Sequence, residues 1–135
     1  LFLDSFEHLP EPASTLRWIA ENSASGARAL VVAPRADSTS NRLLGAFWPH
    51  KLPDHRFHWS RAGIIDAFGE VGFRFELEFH PVKYVSLPML AAHGMHHGSL
   101  AGRWLGPLRD SAALGGLVFP FNIGEMGLLF RRGRT

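Results

Sequence analysis

The sequence predicts an α/β fold built on a largely parallel sheet, and three observations predict it. Apolar strand-like runs alternate along the chain with stretches whose apolar residues recur at helical spacing, the order that gives a sheet with helices on its faces. One run, residues 29–33, is apolar throughout and ends at Pro34, as a strand buried on both faces does. The composition, 46% hydrophobic and 19% charged over 135 residues, fits one globular domain with a real core and not a disordered chain.

Each element follows in order. Leu1, Phe2 and Leu3 open the chain without a polar lead-in and read as the end of a buried strand, which implies sequence upstream. Pro10 and Pro12 stand where a helix would begin, because proline suits a first helical turn. Ala13, Leu16, Ile19 and Ala20 continue it at helical spacing, and Asn22 and Gly26 are stop signals. Residues 35–59, with Asn41, Pro49, Pro53 and four aromatics, read as a long loop of the kind that carries function. Ser60 is an N-cap for a helix with Ile64, Ile65, Phe68 and Val71 inside and Gly72 just past its end. Phe73, Phe75, Leu77 and Phe79 alternate with charged residues and histidine, the pattern of a strand with one buried face. Residues 85–116, broken by glycines and prolines, read as a helical insert of one or two short helices. Met126, Leu128, Leu129 and Phe130 form a final strand, closed by an arginine-rich tail.

Several classes drop out. No cysteine is present, so disulfides and thiolate metal sites are excluded, which fits a reducing, cytoplasmic setting. Net charge is only +2, and the twelve arginines are scattered apart from the tail, with no basic stripe for nucleic acid. The N-terminus lacks the basic start of a signal peptide, and no apolar run reaches the ~20 residues of a membrane span.

Leu3-Asp4-Ser5-Phe6-Glu7-His8-Leu9-Pro10-Glu11-Pro12 resembles the segment after the fourth strand of class I S-adenosylmethionine-dependent methyltransferases. Ser25–Pro34 is similar to that family's turn and fifth strand. Asp54-His55, followed by Trp59-Ser60 and then Gly72-Phe73, looks like its next landmarks, and Gly124–Arg131 resembles its final antiparallel strand. The resemblance covers nearly the whole chain but only the C-terminal half of the family's domain. It implies the second half of a Rossmann-like sheet, with parallel strands and a last antiparallel one. The family's glycine-rich cofactor loop has no counterpart here, since no Gly-x-Gly follows a strand.

What the resemblance implies for function is methyl transfer from S-adenosylmethionine to a small-molecule acceptor, with this chain alone inactive. Leu3, Asp4 and Ser5 would line the methionine side of the cofactor, and Glu7, His8 and His55 would serve catalysis. Glu7 and His8 could equally cap the following turn, and His55 could equally tether its loop. Asp4, Glu7, His8 and His55 together resemble the divalent-metal site of ubiquinone-pathway and small-RNA O-methyltransferases, which prefer Glu where this chain has Asp4; a metal-dependent O-methyltransferase is therefore an alternative. His93, His96 and His97 form a second cluster, better read as surface or pocket histidines. Trp48, Phe57, Trp59 and Trp104 could line an acceptor pocket or merely pack. A rival of another class is a non-catalytic half-domain whose N-terminal strand edge pairs with a partner or a second copy.

Overall fold

The computed structural model describes residues 1–86, 88 and 118–133. Strand β1 (Phe2–Leu3) leads through a 3-10 turn (Phe6–His8) into helix α1 (Pro12–Glu21) and strand β2 (Arg28–Pro34). Helix α2 (Thr39–Leu44) and a second 3-10 turn (Gly45–Phe47) precede helix α3 (Arg61–Glu70) and strand β3 (Phe73–Phe79). Strands β4 (Lys83–Ser86) and β5 (Val118–Phe121) form a separate antiparallel ribbon, and β6 (Glu125–Arg132) ends the described chain.

The main sheet has the order β1-β2-β6-β3. β1 pairs parallel with β2, with Phe2 opposite Val31 and Leu3 opposite Val32. β6 lies antiparallel between β2 and β3. The sheet is therefore mixed, parallel strands plus an antiparallel last strand, as the sequence predicts, and β3 stands at the far edge beside β6.

Local chemistry sets the element ends. Pro12 occupies the first turn of α1, where a missing N–H costs nothing. The Ser60 hydroxyl accepts from Gly63 N at 3.1 Å, capping α3. Gly72 follows α3 at φ 82°, a left-handed conformation glycine adopts without a Cβ penalty.

The core lies on one sheet face. Ala29, Val31 and Ala33 of β2 and Met126, Leu128 and Phe130 of β6 face Leu16 and Ala20 of α1 and Ile64 and Phe68 of α3. Phe68 stacks on Phe130 with centroids 4.2 Å apart and planes 9° from parallel. Burying such an aromatic stabilises by about 1.5–3 kcal/mol.

Three expectations are revised. First, residues 35–59 are not loop throughout, because α2 and a 3-10 turn lie within them. Ser38 caps α2 by accepting from Asn41 N, and Ser40 donates to Ile123 O at 2.7 Å, so polar anchors hold a helix that buries no residue. Second, β3 does not keep its aromatics on one face. The register slips between Phe75 and Leu77: Phe75 pairs with Phe130, but Leu77 pairs with Leu129. This β-bulge inverts the pleat. Phe73 and Phe75 stay on the α3 side, where the Arg61 guanidinium lies 5.1 Å from the Phe75 ring centroid. Leu77 and Phe79 turn to the opposite face, and Glu78 turns back toward Arg35 and Arg61. Third, the expected helical insert does not begin at Val85, since Val85 and Ser86 belong to β4. The remainder of that insert, with His93, His96, His97 and Trp104, lies outside the described residues.

Among the described residues no helix is long and apolar enough to cross a membrane.

Candidate functional site

In open α/β sheets, ligands bind beyond the carboxyl ends of the parallel strands. Here β1 ends at Leu3, and its ladder runs one bond further, Asp4 N donating to Val32 O at 2.9 Å. Asp4 then takes φ 46°, the one non-glycine residue with positive φ among the described residues. An aspartate there costs about 1–3 kcal/mol, and such strain clusters at functional sites. The turn sends the chain into the 3-10 segment that carries Glu7 and His8.

Phe6 anchors that segment. It is fully buried and touches the rings of Phe2, Trp59 and Phe68 at centroid distances of 5.3, 5.1 and 5.8 Å. Glu7 is also buried, at 2% exposure. Its carbonyl accepts from Phe57 N at 3.2 Å, which draws the loop of residues 54–58 across it. That crossing brings His55 onto His8.

Glu7, His8 and His55 each present one ligand atom within 4.8 Å of the others. The His8 Nδ1 lies 3.0 Å from the Asp54 carbonyl, a contact that only a protonated nitrogen can use, so Nδ1 carries a proton. Glu7 Oε2 and His55 Nδ1 are buried with no hydrogen-bond partner. Burial, helped little by its neighbours, holds the Glu7 carboxyl above the ordinary carboxylate range. Burial first, and then the charge of His8, pushes the His55 imidazole below its ordinary value. A neutral imidazole and a poised carboxyl can take or give a proton, or hold a cation.

Asp4 is not part of this trio. Its carboxylate is held by Lys83 Nζ at 2.8 Å, and the same ammonium reaches Glu125 Oε1 at 2.6 Å. Glu125 begins β6 at 3% exposure, and His50 Nε2 stands 3.5 Å from its Oε1. Behind it, the buried Trp48 indole donates to Ile123 O at 2.9 Å and meets the His50 ring edge-on at 5.0 Å. Asn122 locks the turn between β5 and β6, its side chain accepting from Gly124 N and Glu125 N and donating to Pro81 O. The ribbon carrying Lys83 is thereby tied to the sheet beside the site.

The residues expected at the site thus divide. Glu7, His8 and His55 come together. Leu3, Asp4 and Ser5 line the end of β1, Asp4 bound to Lys83. Of the aromatics, Trp48 is buried against Ile123 and Trp59 packs on Phe6, so both support walls. Lys83, Glu125 and His50 escaped the sequence reading. Glu125 carried one signal, a charge at the start of a strand otherwise apolar through Phe130; Lys83 carried none.

No protein-family profile matches the sequence, and no curated protein does either. Solved structures do match by shape. A candidate methyltransferase from Bacillus halodurans superposes at TM-score 0.59 with 16% identity, covering 97% of this chain and 62% of its own. The cyclase SpnF gives 0.52 at 15% identity, covering 99% and 48%. A candidate sarcosine dimethylglycine methyltransferase from Galdieria sulphuraria gives 0.50 at 16% identity, covering 96% and 51%. The chain spans about half to three fifths of these proteins' lengths. At such identities the likeness establishes the fold, an α/β methyltransferase-like sheet, and one neighbour being a cyclase illustrates that a fold hosts more than one chemistry.

Proposed function

We propose that this chain is the C-terminal, acceptor-side half of a class I S-adenosylmethionine-dependent methyltransferase domain that acts on a small molecule. The observation that supports it most is the meeting of Glu7, His8 and His55 at the carboxyl end of β1, on a sheet of the methyltransferase type. S-adenosylmethionine, when bound, supplies an electrophilic methyl carbon whose bond to sulfur breaks with its pair kept on sulfur as the acceptor's lone pair forms the new bond. Leu3, Asp4 and Ser5 would line one side of that cofactor. They are too few to hold it, and the rest of the holding would come from a glycine-rich loop outside this chain. His55, neutral near pH 7, takes the acceptor's proton, and Glu7 orients the acceptor by hydrogen bonding. Alignment of donor and acceptor supplies most of the rate.

A second reading, metal-dependent O-methyl transfer, draws on the same three residues. Their donors, one carboxylate oxygen and two imidazole nitrogens, suit Mg²⁺, Mn²⁺ or Zn²⁺, and Glu7 Oε2 and His55 Nδ1 are buried without hydrogen-bond partners. Such an ion would hold and polarise an acceptor hydroxyl. A third reading, a non-catalytic half-domain, draws on β1, whose outer edge is unpaired among the described residues, and would show as self-association or capture of a partner strand.

One experiment separates these. Methyl transfer from labelled S-adenosylmethionine is measured with the whole protein carrying this chain, over a panel of small alcohols, amines and carbon acids. Turnover that His55→Ala lowers far more than it lowers the melting temperature supports the first reading. Loss on EDTA with recovery on Mn²⁺ shifts it to the second. No transfer to any acceptor by a folded, cofactor-binding protein sinks both.

A further inference from the structure

Two carboxylates, Asp4 and Glu125, share one ammonium, Lys83, and both interact electrostatically with Glu7 of the Glu7–His8–His55 trio. Lys83 Nζ bridges Asp4 Oδ2 at 2.8 Å and Glu125 Oε1 at 2.6 Å. Glu7 and Glu125 are both about 97% buried or more, and each keeps one oxygen, Oε2, with no hydrogen-bond partner. The three acids also feel one another electrostatically. Lys83 thus answers Asp4 and Glu125 by direct contact and Glu7 only at longer range, and the Oε2 atoms of Glu7 and Glu125 are left as acceptors in a nearly water-free setting. A buried, unpaired carboxylate oxygen forfeits the hydrogen bonding it would have in water, which a fitting donor would restore.

Lys83 also shows what fits. Its Nζ is a primary ammonium already held between two of these acids, at distances of charge-assisted hydrogen bonds. We propose that Asp4, Glu7, Glu125 and Lys83 form an acceptor subsite for a small molecule that carries a protonated amine, bound by the free Oε2 atoms of Glu7 and Glu125. This deepens the methyltransferase reading and rests on it for the word acceptor. Binding itself rests only on the charge array. A carboxylate ligand would meet repulsion from three acids, and a neutral alcohol would gain hydrogen bonds without the ion pairing. His55 stands beside Glu7, where it can receive the proton that an amine must lose before its lone pair is free.

The shared chemistry, an ammonium among carboxylates, could instead belong to the cofactor's own methionine amine, so the test includes both sources. Amide NMR spectra of the 135-residue chain, with EDTA present, are followed while propylammonium, 1-propanol or propionate is added. We expect propylammonium to shift resonances of residues 4–8 and 124–126 and to bind at least tenfold more tightly than 1-propanol, with propionate weaker still. Glu125→Gln, isosteric and checked by its spectrum for folding, should lose at least tenfold. Lys83→Met removes the internal competitor and should tighten propylammonium binding several-fold, an opposite sign that mere loss of structure would not give. Equal affinity for 1-propanol, preference for propionate, wild-type binding by Glu125→Gln, or unchanged or weaker binding by Lys83→Met would each overturn the proposal. Competitive displacement by S-adenosylhomocysteine would assign the ammonium to the cofactor and overturn the acceptor role. If amine selectivity holds but the whole protein transfers no methyl group, the methyltransferase reading fails while the cation site stands. If methyl transfer is found but only to non-basic acceptors, the reverse is true.

Discussion

The His55 and His8 imidazoles meet edge to face, with centroids 4.7 Å apart and planes at 85°. Two rings this close resist carrying charge together. Burial, and secondarily the electrostatic influence of His8, therefore keeps His55 neutral to a lower pH than the ordinary 6.5. The consequence for stability has a definite sign. Between the depressed folded value and 6.5, the unfolded chain binds more protons than the folded one, so stability rises with pH there and is lost as pH falls through the window. Proton NMR titration of the His55 Cε1–H should give a midpoint below 6.5. His55→Gln should flatten the wild-type loss of stability on acidification. A midpoint at or above 6.5 would remove the argument for His55 as a neutral base.

Glu7 tilts stability the other way. Desolvation raises its carboxyl above 4.5, and only part of that is offset by its own backbone hydrogen bond and by His8. Above 4.5 the folded state holds its proton more tightly than the unfolded chain does, so the contribution of Glu7 to stability declines as pH rises through the folded value. Glu7→Gln removes this decline. The variant should gain on the wild type in urea midpoint between pH 4.5 and pH 8. A difference that does not change with pH, or that shrinks, contradicts the raised value.

Lys83 and Glu125 show that a contact and its energetic sign differ. Burial alone would lower the Lys83 ammonium, but its hydrogen bonds to Asp4 and Glu125 raise it. Glu125 is raised as well, because burial together with Asp4 and Glu7 outweighs the lysine. The pair is thus held together without being fully compensated, which is the condition an added cation would relieve.

Phe68 carries the packing between α3 and the sheet. It is fully buried and touches Phe6, Phe73 and Phe130, the last in a parallel stack. Phe68→Ala should cost about 3–5 kcal/mol through lost burial and the cavity left behind. Because Phe6 leans on Phe68 and holds the Glu7–His8 turn, the variant should also loosen the site. Chemical denaturation gives the first figure, and histidine NMR line shapes report the second. A loss under 1 kcal/mol would mean that α3 is anchored elsewhere.

Much of the fold was legible because periodicity reports burial on elements with one environment. The β2 run, the caps of α3 and the final strand follow from local sequence, and so does the parallel pairing of β1 with β2. The β3 bulge was not legible. Strict alternation from Phe73 to Phe79 reads as one face, and only the register against β6, fixed by distant residues, shows the slip at Glu76. Helix α2 was invisible for a related reason: it buries nothing and has no apolar stripe, so its anchor is Ser38, Ser40 and a carbonyl more than eighty residues on. At the site, the Glu7-His8 motif announced itself as a short run. Lys83 and Glu125 meet only through the ribbon and the Asn122 turn, contacts that no local pattern encodes.

The last prediction concerns cofactor affinity. A dinucleotide or adenosyl group is held in this kind of sheet mainly by backbone N–H groups of a glycine-rich loop at a helix N-terminus. Among these 135 residues no Gly-x-Gly follows a strand, and the contribution proposed for this chain is the short segment Leu3-Asp4-Ser5. One of its side chains, Asp4, is already engaged by Lys83. The positive sulfonium would gain some attraction from the nearby acids, but the adenine and ribose would lack the backbone donors of such a loop. The chain by itself should therefore bind S-adenosylmethionine no more tightly than millimolar, about −4 kcal/mol. The same segment within the whole protein should bind at least a hundredfold better, since the loop would then supply the missing contacts. Calorimetry on both decides it. Micromolar binding by the 135-residue chain would mean that a complete cofactor site lies within it, and the half-domain reading would fall.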